Sequence, residues 1–227
     1  MDGVLADLSG ACDAVETRLF CEAESPGRAS DAETERPDEP PRGAADDDAR
    51  SPKPGRLKEL RRRREAVWAA IRDTPDFWMS LEPTDVHAVR RIHQLTLQYR
   101  WEVFFITQRP ATLGDTVQRQ TQRWLVSQGF DMPSVLVVPA SRGAAAAALS
   151  LDYHVDDSPQ NCIDVKSEST AKPILIVDGD DTETPLSASR LGIATAVSIA
   201  HALEILAEAS AKQPGLLDRL AQIAGLR

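Results

Sequence analysis

Apolar and polar positions follow three different textures along the chain. From about residue 82 onward, short apolar runs alternate with stretches of helical period. VFFI at Val103–Ile106, VLVV at Val135–Val138 and ILIV at Ile174–Val177 read as strands. Tyr153–Val155 and Ala194–Ser198 read as shorter ones. Helical patterns are predicted over Thr84–Arg100, Leu113–Gln128, the alanine-rich Gly143–Leu149 and Ile199–Ala209, with Pro83 and Thr84 as a start signal. Strands and helices alternating at this spacing predict an α/β fold, a Rossmann-like parallel sheet flanked by helices. In such sheets the ligand site lies beyond the carboxyl ends of the strands.

The second texture is amphipathic. Leu57, Leu60, Val67, Trp68 and Ile71 recur at helical spacing and predict a helix over Leu57–Arg72. Arg61, Arg62, Arg63 and Arg64 are consecutive, so they cannot share one face. They read first as a solvated surface, with an anion-attracting patch over an active site as the alternative. The third texture is residues 22–56, with six of the fifteen prolines and no Val, Ile, Leu, Met or aromatic residue. Such a segment cannot bury enough apolar surface to offset the entropy of ordering it, and is expected to be disordered. The predicted organisation is therefore a core start at 1–21, an acidic Pro-rich insert at 22–56 and a small helical cap at 57–80. The main core covers 81–212 and a C-terminal helix 213–227.

Composition narrows the function classes. The 227 residues are 42% hydrophobic and 27% charged, the balance of a soluble globular protein. A net charge of −9 argues against a nucleic-acid polymer as partner, because phosphate backbones attract an excess of Lys and Arg. No apolar run approaches the roughly eighteen residues of a membrane helix. The start, MDGVLADL, has no basic flank and is not read as a signal peptide, so a cytoplasmic location is expected. Cys12, Cys21 and Cys162 form no CxxC pair, which argues against a disulfide framework or zinc site.

Candidate chemistry sits where the fold class puts it. Thr107 follows VFFI, with Gln108, Arg109 and Pro110 after it; Ser141, Arg142 and Gly143 follow VLVV and open a helix. Asp156 and Asp157 follow Tyr153–Val155, Asp178–Asp181 follow ILIV, and the chain opens with Asp2-Gly3-Val4-Leu5-Ala6-Asp7. A phosphoryl group needs hydroxyl and backbone donors, a fixed cation and usually Mg²⁺ held by carboxylates. Thr107 supplies a hydroxyl, Arg142 a cation, Gly143 a helix N-terminus, and the Asp156–Asp157 pair a metal seat, since paired carboxylates repel without a cation.

In this order the strand ends resemble the motifs of the haloacid dehalogenase-like hydrolase superfamily, and within it the 5′(3′)-deoxyribonucleotidase-like proteins. Asp2-Gly3-Val4-Leu5-Ala6-Asp7 is similar to the latter part of the first motif, Asp-x-Asp-Gly-Val-x-Ala-Asp. Val103–Thr107 is similar to the second, Arg142 stands where the third usually has Lys, and Val155-Asp156-Asp157 is similar to the fourth. Phe77-Trp78-Met79-Ser80-Leu81-Glu82-Pro83 resembles the return from a helical cap. The resemblance implies a Mg²⁺-dependent phosphatase acting on a small phosphorylated metabolite, a nucleoside monophosphate among the candidates. It implies Asp2, Thr107 and Arg142 as catalytic residues, Thr107, Gln108, Arg142 and Gly143 as substrate-binding, and Asp2, Asp156 and Asp157 as metal ligands. It makes Asp2 the second aspartate, the general acid and base, whose backbone carbonyl helps to hold Mg²⁺. The nucleophilic aspartate and its apolar strand would then lie upstream of Met1. The expected alternative is a catalytically inactive relative that binds a phosphate ligand or a partner. A phospho-acceptor receiver domain fits less well, since the acidic pair comes late, after Thr107, and a long insert interrupts the start.

Other residues carry weaker expectations. Asp7 is either a site carboxylate or a helix cap, Gln108 and Arg109 either touch substrate or are loop residues, and Asp178, Asp180 and Asp181 read first as an ordinary turn, with an extension of the metal site as the alternative. His154 is expected beside Asp156, while His87, His93 and His201 form no cluster. Trp124 reads as core, and Trp68 and Trp78 as cap core or base-stacking groups.

Overall fold

The computed structural model of this chain describes residues 1–20, 54–181 and 183–212. The expected insert, apart from its last three residues, lies outside the described residues, as do Cys21 and the expected helix at 213–227.

Fourteen named elements follow one another among the described residues. Helices α1 (Leu8–Phe20) and α2 (Pro54–Asp73) come first, then a 3₁₀ turn at Phe77–Met79 and α3 (Ala88–Tyr99). Strand β1 (Phe104–Thr107), α4 (Val117–Ser127), β2 (Ser134–Val137), α5 (Arg142–Ala148) and β3 (Tyr153–Asp156) follow. The last are α6 (Pro159–Glu168), β4 (Lys172–Ile176), α7 (Glu183–Arg190), β5 (Ala194–Ala196) and α8 (Ile199–Ala211).

Local chemistry explains the boundaries. Helix α3 buries Ala88, Val89, Ile92 and Leu95, a stripe at helical period, and stops at Arg100, whose φ of 56° is left-handed. It begins later than the pattern predicts because Thr84 is engaged elsewhere. The Thr84 N–H donates to the Leu5 carbonyl and its hydroxyl to that of Val4. Helix α4 starts at a Thr116 cap whose side chain accepts from the Arg119 N–H. Helix α6, which periodicity does not reveal, has a Ser158 cap followed by proline and buries only Cys162 and Val165.

All strand pairs are parallel, as the pattern predicts, but the strands form two sheets rather than one. Strand β1 pairs with β2, in register from Phe104 opposite Ser134 to Thr107 opposite Val137. Strand β4 lies between β3 and β5 in the second sheet. Alternating strands reveal elements and direction, not which edges meet. The result is an α/β fold of parallel sheets flanked by helices, consistent with a Rossmann-like arrangement.

One large apolar cluster joins the opening loop to the first sheet. Val4, Leu5 and Ala6 share it with Val67 and Ile71 of α2, Phe77, Trp78, Phe105, Trp124 and Val135. The segment expected as a cap thus shares its apolar packing with the core. No helix among the described residues is long and apolar enough to cross a membrane.

Candidate functional site at the strand ends

The opening loop is tied down before any strand is. The Met1 carbonyl accepts from the Leu5 and Ala6 N–H groups, Gly3 donates to Ala6, and Asp7 N–H donates to Glu82. Gly3 adopts φ +74°, and a Cβ there would meet the Asp157 carboxylate. Only glycine lets the loop pass beneath that side chain.

This loop brings Asp2 to a cavity of about 190 Å³ at the carboxyl ends of β1 and β3. Asp2, Thr107, Gln108, Arg142, Asp156 and Asp157 all line it. Six sequence positions, scattered from residue 2 to residue 157, therefore meet through the parallel arrangement of strands. Thr107 is fully buried, and its hydroxyl donates to Asp2 at 3.3 Å.

Arg109 makes the strongest contact with Asp2. Its Nε reaches Oδ1 at 2.9 Å and Oδ2 at 3.1 Å, and Nη2 also donates to Oδ1. Nη1 donates to the Thr121 hydroxyl at 3.0 Å, and the guanidinium lies over the Trp78 ring, 4.9 Å from its centroid. A buried arginine with its donors satisfied and its face stacked is a fixed part of the structure.

Arg142 differs. It is 7% exposed, its Nη1 reaches the Val138 carbonyl at 3.3 Å, and its buried Nε has no hydrogen-bond partner among the described residues. A buried, unsatisfied donor on a permanent cation costs free energy unless an anion meets it.

The two strand-end aspartates have opposite environments. Asp156 Oδ1 accepts from the Ser158 N–H and from Asn161 Nδ2, both at 2.9 Å, and Oδ2 lies 3.1 Å from His154 Nε2. Burial alone would raise its pKa. The His154 bond, the charge of the Met1 amine and the Asn161 and Ser158 bonds outweigh that, and hold it well below the ordinary carboxylate range. Asp157 has no such set of donors, and burial and the charge of Asp156 push it up. The Met1 amine is itself lowered by burial, against the pull of Asp156, Asp2 and Asp157.

The remaining expected residues have plainer surroundings. Gly143 packs against α6, where a Cβ would strike the Asp164 carbonyl, and its N–H donates to Ser141 Oγ. Gln108 Nε2 donates to the Pro139 carbonyl at the cavity rim. Asp7 caps α1 through the Gly10 N–H, and Asp181 accepts from the Glu183 and Thr184 N–H groups. Neither lines the cavity. Trp78 is buried beneath Arg109, with its Nε1 donating to the Pro110 carbonyl, and both it and half-buried Trp68 line the cavity. Asn161, which sequence reasoning missed, is signalled only by its position three after the Ser158 cap.

Among the described residues, no group of three His, Cys, Asp or Glu side chains is placed to cage a metal ion. The donors present still suit Mg²⁺, which usually takes one or two carboxylates and keeps its other positions for water and phosphate. Asp157, buried beside the charge of Asp156, is the carboxylate a cation would relieve. A scan against protein-family models gives no match, and no curated protein matches the chain.

Proposed function

We propose that this cavity is a phosphate site and that the protein is a Mg²⁺-dependent phosphomonoester hydrolase of the haloacid dehalogenase-like type. A small phosphate ester is the substrate class, with nucleoside monophosphates as candidates. The observation that carries the reading is the buried Arg142 Nε, a donor without a partner on a cation that lines the cavity. Thr107 and Arg142 bind the phosphoryl oxygens, and Asp156 and Asp157 hold Mg²⁺, which offsets negative charge on the phosphoryl group when bound. Asp2 holds the proton that passes to the departing ester oxygen. In this reaction class a carboxylate oxygen bonds to phosphorus as the ester P–O bond breaks, and water then cleaves the acyl phosphate.

A second reading is binding without turnover. It is favoured by the Arg109 clamp, which engages both oxygens of Asp2.

Calorimetry with inorganic phosphate and Mg²⁺ tests the site. The expected result is binding that Arg142→Met weakens at least tenfold, since a charge-assisted hydrogen bond contributes about 1.5–3 kcal/mol. Absence of phosphate binding by the unmodified protein would sink both readings. Hydrolysis of nucleoside monophosphates by a version carrying an upstream Asp-containing strand separates them: turnover supports the hydrolase, and binding alone supports the second reading.

A further inference from the structure

Helix α2 outruns the core it packs on. Val67 and Ile71 are buried in the large apolar cluster, yet every residue from 55 to 65 is exposed. Leu57, Leu60, Arg61 and Arg64 fall at i, i+3, i+4 and i+7, one face of the helix, and the same stripe continues to Val67 and Ile71. The two leucines are 51% and 53% exposed. From Arg56 to Arg64 six of nine residues are basic, with Glu59 the one carboxylate among them. Arg61 pairs with Glu65 and Arg63 with Glu59, but these are exposed contacts within the helix, which water screens. Half of α2 is thus an unpartnered face, positive and partly apolar.

A complementary surface lies on the same chain. Between β4 and α7, Asp178 and Asp180 are exposed. Glu183 opens α7 and is exposed, and Leu186, one turn later, is 64% exposed. Asp181 differs, because its carboxylate accepts from the Glu183 and Thr184 N–H groups. A Cβ at Gly179 here, or at Gly55 in α2, would meet nothing within 4 Å. One surface therefore sets cations beside leucines, and the other sets carboxylates beside a leucine. Both are open, so neither covers the other within one copy. Two α2 helices placed face to face would set arginine against arginine, which like-charge repulsion disfavours. The net charge of −9 also repels polyanions such as nucleic acid.

We propose that the exposed half of α2 docks on Asp178, Asp180, Glu183 and Leu186 of a second copy of this chain. Arg61 and Arg64 meet the carboxylates, which the forked guanidinium suits, and Leu57 and Leu60 meet Leu186. The exposed half of the helix is about 16 Å long at roughly 1.5 Å per residue. That makes a small interface, so association is weak and sensitive to salt. Neither surface lines the strand-end cavity, and the contact is independent of phosphate binding.

Sedimentation equilibrium of the 227-residue protein tests this, at about 10 mM and about 1 M salt, where the screening length is roughly 30 Å and 3 Å. The expected result is self-association at low salt that is lost at high salt. Arg61→Glu with Arg64→Glu should weaken it at least tenfold, and so should Asp178→Lys with Asp180→Lys. The protein carrying all four changes should associate again, because the charges are exchanged. That recovery separates a lost contact from a lost fold, since one folding defect does not repair another. A monomer at about 1 mM and low salt overturns the proposal, as the face is then solvated or covered within its own chain. Association that survives high salt, or that neither reversal weakens, overturns it too. So does a monomer that binds vesicles containing phosphatidylserine through Arg61 and Arg64, which assigns the face to an anionic membrane.

Discussion

Arg109 holds Asp2 across a separation of 107 positions, with Nε within 3.1 Å of both carboxylate oxygens. The arginine side chain is 1% exposed and the aspartate 21%. Trp78 covers the guanidinium and Thr121 takes its third donor. Three distant segments are therefore fixed by one side chain.

Removing one member of a buried pair leaves the other uncompensated, which costs about 3–5 kcal/mol when fully buried. Arg109→Met is expected to destabilise the protein by about 3 kcal/mol, and Asp2→Asn by less, because asparagine still accepts a hydrogen bond. Urea denaturation of both single variants and the double variant measures the coupling, which should exceed about 1 kcal/mol. Additive effects would show that the contact carries no energy.

Gly3→Ala places a methyl group against Asp157 in a left-handed backbone position. The expected cost is about 1–3 kcal/mol. Gly3→Ala combined with Asp157→Ala should recover part of it, because the clash goes and the backbone strain stays. Equal stability of the single and double variants would contradict the close approach.

Asp156 and Asp157 should respond to pH in opposite directions. Asp156 is depressed from its ordinary 3.8, so unfolding takes up a proton there. Its contribution is complete above that ordinary value and is lost as pH falls toward the depressed one. Asp156→Asn should thus be less stable than the parent at neutral pH, with the gap closing in acid. Asp157 is raised, so its charge weakens the fold as pH climbs through the raised value. Asp157→Asn should be more stable than the parent at neutral pH in EDTA. Melting temperatures across a pH series check both signs.

Added Mg²⁺ should reverse the Asp157 result. A cation bound only to the folded protein raises Tm by mass action. The parent protein is expected to gain stability with millimolar Mg²⁺ and Asp157→Asn to gain less. An equal gain in both proteins would place the ion elsewhere.

The strand-end residues were legible because their chemistry and fold class point to one place. VFFI ends at Thr107 and Tyr153–Val155 at Asp156, and parallel strands carry both ends to one edge. The Arg109 clamp was not legible, since nothing local pairs residue 109 with residue 2. Helices α6 and α7 escaped because each buries so little that no apolar stripe forms: Cys162 and Val165 in one, Ala188 in the other. Trp78 was read as cap core or a stacking group for a base. It is fully buried in the large apolar cluster, in line with the core reading, and its ring also carries Arg109, a contact set by tertiary packing.

Helix α8 is one mechanical link between two hydrogen-bonded ladders. Ile199 and Leu203 pack with Phe105 in the large cluster, while Ala202 packs with Ile174 and Ala196 of the second sheet. Trp101 adds a bond to Ser210 at 2.9 Å. With no backbone ladder shared by the sheets, cooperativity between them passes through side-chain packing. Val155 and Ile176 of the second sheet also pack directly against the large cluster, so that coupling rests on several apolar contacts of which α8 is one.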